Sequence, residues 1–249
     1  SGIGPAEHLR SFGINVIQDL PGVGQNLRDH PSAAVLFKAT GDKPDVQAPA
    51  IQVGLRYTVE GSSLRNDMQL SPMLMTSEHR PSSVTYEGDE FHWGFNVGLQ
   101  NATSAGRIKL ASTDPHVQPD LNYDLFSAPY DRERMREALR TASRIADHPA
   151  LSSIISERIN PTEKDFASDE ALDEWIMRNC YTQHHITGTC KMGVASDPMA
   201  VVDQYCKVHG LDGLRVVDAS VMPDVIRANT NATTIMIAER VSDWIKEGK

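Results

Sequence analysis

Strand-like stretches crowd into one part of this chain. Residues 33–38, 51–59, 67–76 and 91–100 alternate in polarity or are rich in β-branched and aromatic residues, and Gly, Pro and Ser separate them. One more, RIKLAS at 107–112, follows Ser104-Ala105-Gly106 and stops at the Asp114-Pro115 turn. Helical periodicity lies outside this block. Met135, Ala138, Leu139, Ala142, Ile145 and Ala146 recur at helical spacing over 130–147, and Pro149 closes the run. Ser168 is a good N-cap for DEALDEWIMRN, with Leu172, Trp175 and Ile176 on one side. A short helix is expected at AEHLRSF, between Pro5 and Gly13, with a strand starting at Val16-Ile17 after it. The last helix is expected from about Ala232 to Lys246, with Ile237, Ala238, Val241, Trp244 and Ile245 facing inward. Leu214–Val217, between Gly213 and Asp218, reads as a short strand covered on both faces. Strands grouped in the middle and helices around them specify an α+β or mixed α/β fold.

At 249 residues the chain suffices for one large domain or two modest ones with a real core. A net charge of −9 argues against nucleic acid as a general partner, because phosphate binding needs a basic surface. No apolar run approaches the roughly 18–20 residues of a membrane-spanning helix, so no membrane partner is expected. The start SGIGPAEHLR has neither the charged beginning nor the apolar core of a signal peptide. Three cysteines without a C-x-x-C do not form a disulfide framework and fit a reducing, cytoplasmic setting. The chain opens on Ser1 rather than Met, so a segment upstream is expected.

Chemistry concentrates in CYTQHHITGTCKMG, residues 180–193. Cys180, His184, His185, Cys190, Cys206 and His209 could in principle ligate a metal, but structural zinc sites use two tightly spaced ligand pairs. Only Cys206 and His209 are that close, so the cysteines are better read as small buried hydrophobes and no metal is expected. A nucleophilic Cys190 would need an oriented base, and the segment offers none. Gly2-Ile3-Gly4 and Gly22-Val23-Gly24 are each G-x-G, but neither extends to a dinucleotide fingerprint. His185 stands apart, because a histidine can take a proton from a hydroxyl and Gly188-Thr189 just beyond would let a ligand come close. If the segment is extended, His184 and His185 point to opposite faces. At 229–231 the polar run Asn229-Thr230-Asn231 begins the last helix, where it serves as a cap or presents free N–H groups to an electron-rich ligand.

Three stretches in this order, SGIGPAEHLRSFGINVIQDLPGVGQNLRDHP, HHITGTCKMG and GLRVVDASVMPDVIRANTNATTIMIAERVSDWI, resemble the second half of the glucose–methanol–choline (GMC) family of FAD-dependent oxidoreductases, in its choline-dehydrogenase-like form. SAGRIKLASTDP, followed by Tyr123 and the helix at Asp131, is similar to that family's middle section. The resemblance implies that residues 1–30 and 193–249 belong to a discontinuous FAD-binding domain. Residues 31–192 would form a substrate domain with an antiparallel sheet. It implies FAD as cofactor, an alcohol as substrate, an aldehyde or ketone as product, and an N-terminal half as partner. His185 would be the base beside the flavin and Asn231 its partner on the substrate oxygen, with hydride passing to flavin N5. His184 would line the substrate wall. Asp218 and Ala219 would meet the phosphate and ribose of FAD, and Asn229, Thr230, Asn231 and Ala232 the flavin edge. Two other outcomes remain open, a non-redox relative of the hydroxynitrile lyase type and a fragment that binds no flavin.

Overall fold

The computed structural model describes residues 1–40, 49, 51–75 and 91–249, and these fall into two compact units. The first comprises 1–30, 104–125 and 184–249, and the second 31–103 and 126–183. In chain order the strands are β1 (Ile3–Gly4), β2 (Gln18–Asp19), β3 (Gln25–Leu27), β4 (Pro31–Ala39), β5 (Leu55–Tyr57) and β6 (Met68–Met75). They continue as β7 (His92–Leu99), β8 (Gly106–Lys109), β9 (Asp120–Asn122), β10 (Ile155–Asn160) and β11 (Tyr181–Thr182). The helices are α1 (Ala6–Ser11), α2 (Pro129–Ala146), α3 (Asp169–Asn179) and α4 (Asn231–Lys246).

The second unit is an antiparallel sheet in the order β10-β4-β7-β6-β5, with β11 also pairing on β4. Seven consecutive residues of β4, Pro31–Phe37, are buried, as a central strand requires. Ala34 and Leu36 cluster with Met73 and Tyr181, and Phe37 meets Phe95 edge to face across β4 and β7. Helix α2 packs its stripe of Met135, Ala138, Leu139, Ala142 and Ala146 against β7 and β4. Ser168 caps α3 by accepting from the Ala171 amide, and the helix starts at the next residue as its sequence specifies. The four central strands appear close to their expected places, although β5 keeps only three residues of the expected 51–59. Thr76, the expected last residue of β6, lies outside the described residues.

Charge sits inside this unit. Arg134 of α2 donates to Asp67 (3.1 Å), to Asp131 (2.7 Å) and to the Asn101 carbonyl (2.8 Å). Its side chain is 2% exposed and both carboxylates 0%. Asp67 also accepts from the Val59 amide and the Ser62 hydroxyl, and Asp131 from the Thr103 amide. The cluster ties α2 to two loops, and its charges tolerate burial because each is hydrogen-bonded.

The first unit is built from three separate pieces of chain. β1 and β2 pair in parallel around α1, and β3, β8 and β9 form a small antiparallel sheet. Its core gathers Leu20, Val201, Val202, Cys206, Val208, Val221 and Val241, with Cys190, Ile237 and Trp244 packed against it. Two stretches assigned from sequence to other places join here. Residues 104–125 do so because β8 pairs with β3, and residues 184–192 because Arg28 and Thr187 bridge (N···O 2.9 Å in both directions). Leu214–Val217 is not a strand. Its main-chain hydrogen bonds go to the Cys206–Val208 segment, with one isolated bridge at Arg215, and Leu214 is exposed. In α4, Val241, Ile237 and Trp244 face the core, but Ile245 is 57% exposed, and Ile235 and Met236 are exposed with it.

Gly188 has φ +89°, and a Cβ there would stand 2.3 Å from the Asn26 carbonyl oxygen. The close neighbour of this small residue is therefore main chain, where the sequence suggested a ligand. Asn26 (φ +58°) also donates from Nδ2 to the Gly188 and Pro223 carbonyls (3.3 and 3.0 Å), fastening two remote loops. Gly188→Ala is expected to destabilise the protein by at least about 2 kcal/mol, through left-handed strain and the clash together. Arg134→Met strands two buried carboxylates and is expected to cost about 3–5 kcal/mol. Urea denaturation followed by circular dichroism measures both, and midpoints equal to the wild type would contradict these packing accounts.

Candidate functional site

The segment Asn26–His30 runs beside residues 185–190 and 220–226 in the first unit. Asp29 is the fastener. Its Oδ1 accepts from the amide of His30 (2.7 Å) and from the amide of His185 (3.0 Å), joining positions 156 apart in sequence. Further along, the Cys190 amide donates to the Ser220 carbonyl (2.9 Å) and the Met192 amide to the Val221 carbonyl (2.8 Å). Residues 185–192 therefore lie bound on one side to 28–30 and on the other to 220–221.

His185 is half-buried, and both of its ring nitrogens have neighbours. Nδ1 lies 2.8 Å from Nδ1 of His30, and Nε2 lies 3.1 Å from Nδ2 of Asn229. The rings of His30 and His185 meet edge to face, with centroids 4.9 Å apart. His30 is 0% exposed, and its Nε2 lies 2.7 Å from the Ile226 carbonyl oxygen. Burial disfavours the imidazolium of His185 and lowers its pKa from the ordinary 6.5. The Asp29 charge opposes that shift, and His184 adds to it.

The two adjacent histidines are not extended. His184 has φ +61°, a left-handed turn that leaves its side chain exposed while His185 turns inward. The asparagine that reaches His185 is Asn229, which lies before α4, and not Asn231, which is the first residue of the helix and exposed. Of the two asparagines, Asn229 makes the contact with the imidazole.

Thr230 is the N-cap residue of α4, yet its side chain makes no capping bond, and its carbonyl accepts from the Thr234 amide and hydroxyl. No acidic residue occupies the first turn. The amides of Asn231, Ala232 and Thr233 thus begin a helix whose positive end is not offset by its own side chains. Asp218 is exposed and accepts on Oδ1 from the amide and hydroxyl of Ser220, capping the 3₁₀ turn Ala219–Val221.

All three cysteines are free, and burial raises the pKa values of Cys190 and Cys206, which suits packing rather than nucleophilic roles. Among the described residues, no group of three or more His, Cys, Asp or Glu is placed to hold a metal, and no helix is long and apolar enough to cross a membrane. His30 is the site residue that pattern reading missed. Its one sequence signal was its place in NLRDHP, inside the first of the three stretches that carry the family resemblance.

Known proteins match this chain over its whole length. The sequence is 37% identical over 272 aligned residues to the oxygen-dependent choline dehydrogenase of Burkholderia mallei, covering 100% of this chain and 47% of that protein. The Proteus mirabilis enzyme of the same name is also 37% identical, covering 99% of this chain and 47% of that protein. The chain therefore spans about half the length of these relatives. Among solved structures, pyridoxine 4-oxidase from Mesorbium loti superposes with a TM-score of 0.88 at 25% identity, covering 99% of this chain and 48% of that one. A formate oxidase of Aspergillus oryzae gives a TM-score of 0.88 at 24% identity, over 100% of this chain and 51% of that one, and shows the same fold. The GMC oxidoreductase profile matches residues 102–238, more than half the chain, and the chain belongs to the GMC oxidoreductase family.

Proposed function

We propose that this chain is the catalytic C-terminal half of an FAD-dependent enzyme that oxidises an alcohol to an aldehyde or ketone, with His185 as the base. The observation that carries the reading is the pairing of His185 Nε2 with the Asn229 amide at 3.1 Å. A basic nitrogen and a hydrogen-bond donor that close together are what an alcohol oxygen needs. As the alcohol binds, the Asn229 amide turns its hydrogen bond from Nε2 to the alcohol oxygen, which frees Nε2 to take the hydroxyl proton while Asn229 donates to the oxygen as negative charge builds there. Asn229 thus takes the role that the resemblance had given to Asn231.

The residues present fit a flavin. The amides of Asn231, Ala232 and Thr233 open α4 with no acidic side chain and no side-chain cap, a donor set suited to the electron-rich edge of the isoalloxazine. Asp218 and Ala219, at the 3₁₀ turn, would meet the ribose and phosphate region. Bound FAD supplies the hydride acceptor. Helix α4 leaves Ile235, Met236 and Ile245 each exposed, apolar side chains that the rest of the protein would have to cover. The substrate class is a small alcohol, and choline is the first to try because the 37%-identical relatives are choline dehydrogenases. His184, exposed beside the base, is proposed as part of the substrate wall.

Anaerobic stopped-flow mixing of the FAD-bound intact enzyme with choline and other primary alcohols tests this reading. Alcohol is expected to bleach the flavin. His185→Ala is expected to slow bleaching by about 10²–10⁴-fold and Asn229→Ala by about 10²-fold, whereas Asn231→Ala leaves the rate unchanged. A bound flavin that no alcohol reduces would sink the redox reading, and a normal rate in His185→Ala would remove the base. The pH dependence has a definite sign. A base must be neutral to act, so the rate of flavin reduction falls as pH drops and His185 takes a proton. Because burial lowers its pKa, the half-point is expected below the ordinary histidine value of 6.5. A rate that rises as pH falls would exclude His185 as proton acceptor.

A further inference from the structure

A carbonyl oxygen can only accept a hydrogen bond, and this fixes a direction for the whole histidine chain. Ile226 O lies 2.7 Å from His30 Nε2, so Nε2 of His30 carries the proton. A second proton on His30 would put a charge in a ring that is 0% exposed, which burial disfavours. Nδ1 of His30 is then bare and accepts, at 2.8 Å, the Nδ1–H of His185. With its single proton on Nδ1, His185 has Nε2 bare, and the Asn229 amide donates to it at 3.1 Å. Each bond agrees with the next, from Asn229 through both rings to the Ile226 carbonyl.

We propose that His30 is a positioning residue that holds His185 in the one tautomer whose basic nitrogen, Nε2, faces Asn229 and the alcohol. This rests on the reading of His185 as the base. In the other tautomer Nε2 carries the proton and can accept nothing from a substrate. His30 also sets the orientation of the His185 ring, and Asp29, gripping the amides of both residues, sets the distance between them. When His185 takes the alcohol proton, the bond from its Nδ1–H to His30 becomes charge-assisted and stronger. A carboxylate in the place of His30 would do the same and raise the proton affinity of His185 as well. A neutral ring fixes the tautomer without that added charge. The ionisable groups acting on His185 are then Asp29, which favours its protonation, and His184, which opposes it.

The experiment is ¹⁵N spectroscopy of histidine-labelled, FAD-bound intact enzyme, with the His185 ring assigned through His185→Gln, alongside anaerobic flavin reduction. In the wild type at pH 8, His185 is expected to show a protonated Nδ1 and a bare Nε2. An Nε2-protonated His185 in that spectrum overturns the proposal, whether or not any His30 variant folds. His30→Leu removes the acceptor and is expected to move signal toward the Nε2–H tautomer and to slow flavin reduction at least tenfold, with flavin content and alcohol affinity kept. His30→Asn puts an amide oxygen near the position of Nδ1 and is expected to restore both the tautomer and most of the rate. If His30→Leu keeps the tautomer and the rate, or if His30→Asn is as slow as His30→Leu, His30 only fills space. Failure of the base reading is a separate result, because undiminished flavin reduction in His185→Ala leaves the tautomer measurement intact.

Discussion

One carboxylate oxygen holds the candidate site together. Asp29 Oδ1 accepts two amide protons, from His30 and from His185, and so brings two distant pieces of main chain to one point. A buried carboxylate is tolerated when main-chain donors satisfy it, and an amide donating to a charged oxygen forms one of the stronger hydrogen bonds in a protein. The remaining contacts depend on this one. The bridge of Arg28 to Thr187, the reach of Asn26 to Gly188, and the contact between the histidine rings all need residues 26–30 and 185–188 side by side.

The electrostatics of the site divide labour between neighbours. Asp29 directs its charge at amides rather than at an imidazole ring, so its pull on the proton affinity of His185 stays smaller than the effect of burial. The net shift is downward and favours the neutral imidazole. Asn229 offers an amide to Nε2, and two residues further along the chain α4 begins with main-chain N–H groups that no side chain caps. A proton acceptor next to a group of donors favours negative charge on an oxygen placed between them, and it disfavours a positive charge that lingers.

The helices and the central strands were legible in the sequence, because each carries its own signal. The stripe of α2 repeats every three to four residues, Ser168 names the start of α3, and β4 is a run of apolar residues ended by Lys38. The resemblance to the family gave His185. What could not be read were relations over long separations or at helix starts. His30 and His185 are 155 residues apart, and a single histidine before a proline has no pattern to mark its partner. Asn229 and Asn231 differ only in where α4 begins, and helix boundaries are the least certain part of any sequence reading. Leu214–Val217 has the composition of a strand, but a ladder needs a neighbour, and among the described residues its main-chain hydrogen bonds go to the turn at Cys206–Val208. Gly188 looked like room for a ligand because a small residue signals a close approach without saying by what.

The same long separations have a consequence for how the site forms. Its residues come from 26–30, 184–192 and 218–232, and His185 takes its partners from the two segments other than its own. His30 lies against Nδ1 of the imidazole from the first segment, and Asn229 against Nε2 from the last. A local opening of either segment therefore breaks the whole run of contacts from Asn229 through both rings to Ile226. The setting of the His185 ring is in this sense a property of the folded unit, since an isolated imidazole exchanges freely between tautomers, whereas here the Ile226 carbonyl at one end and the Asn229 amide at the other both bear on where the protons sit.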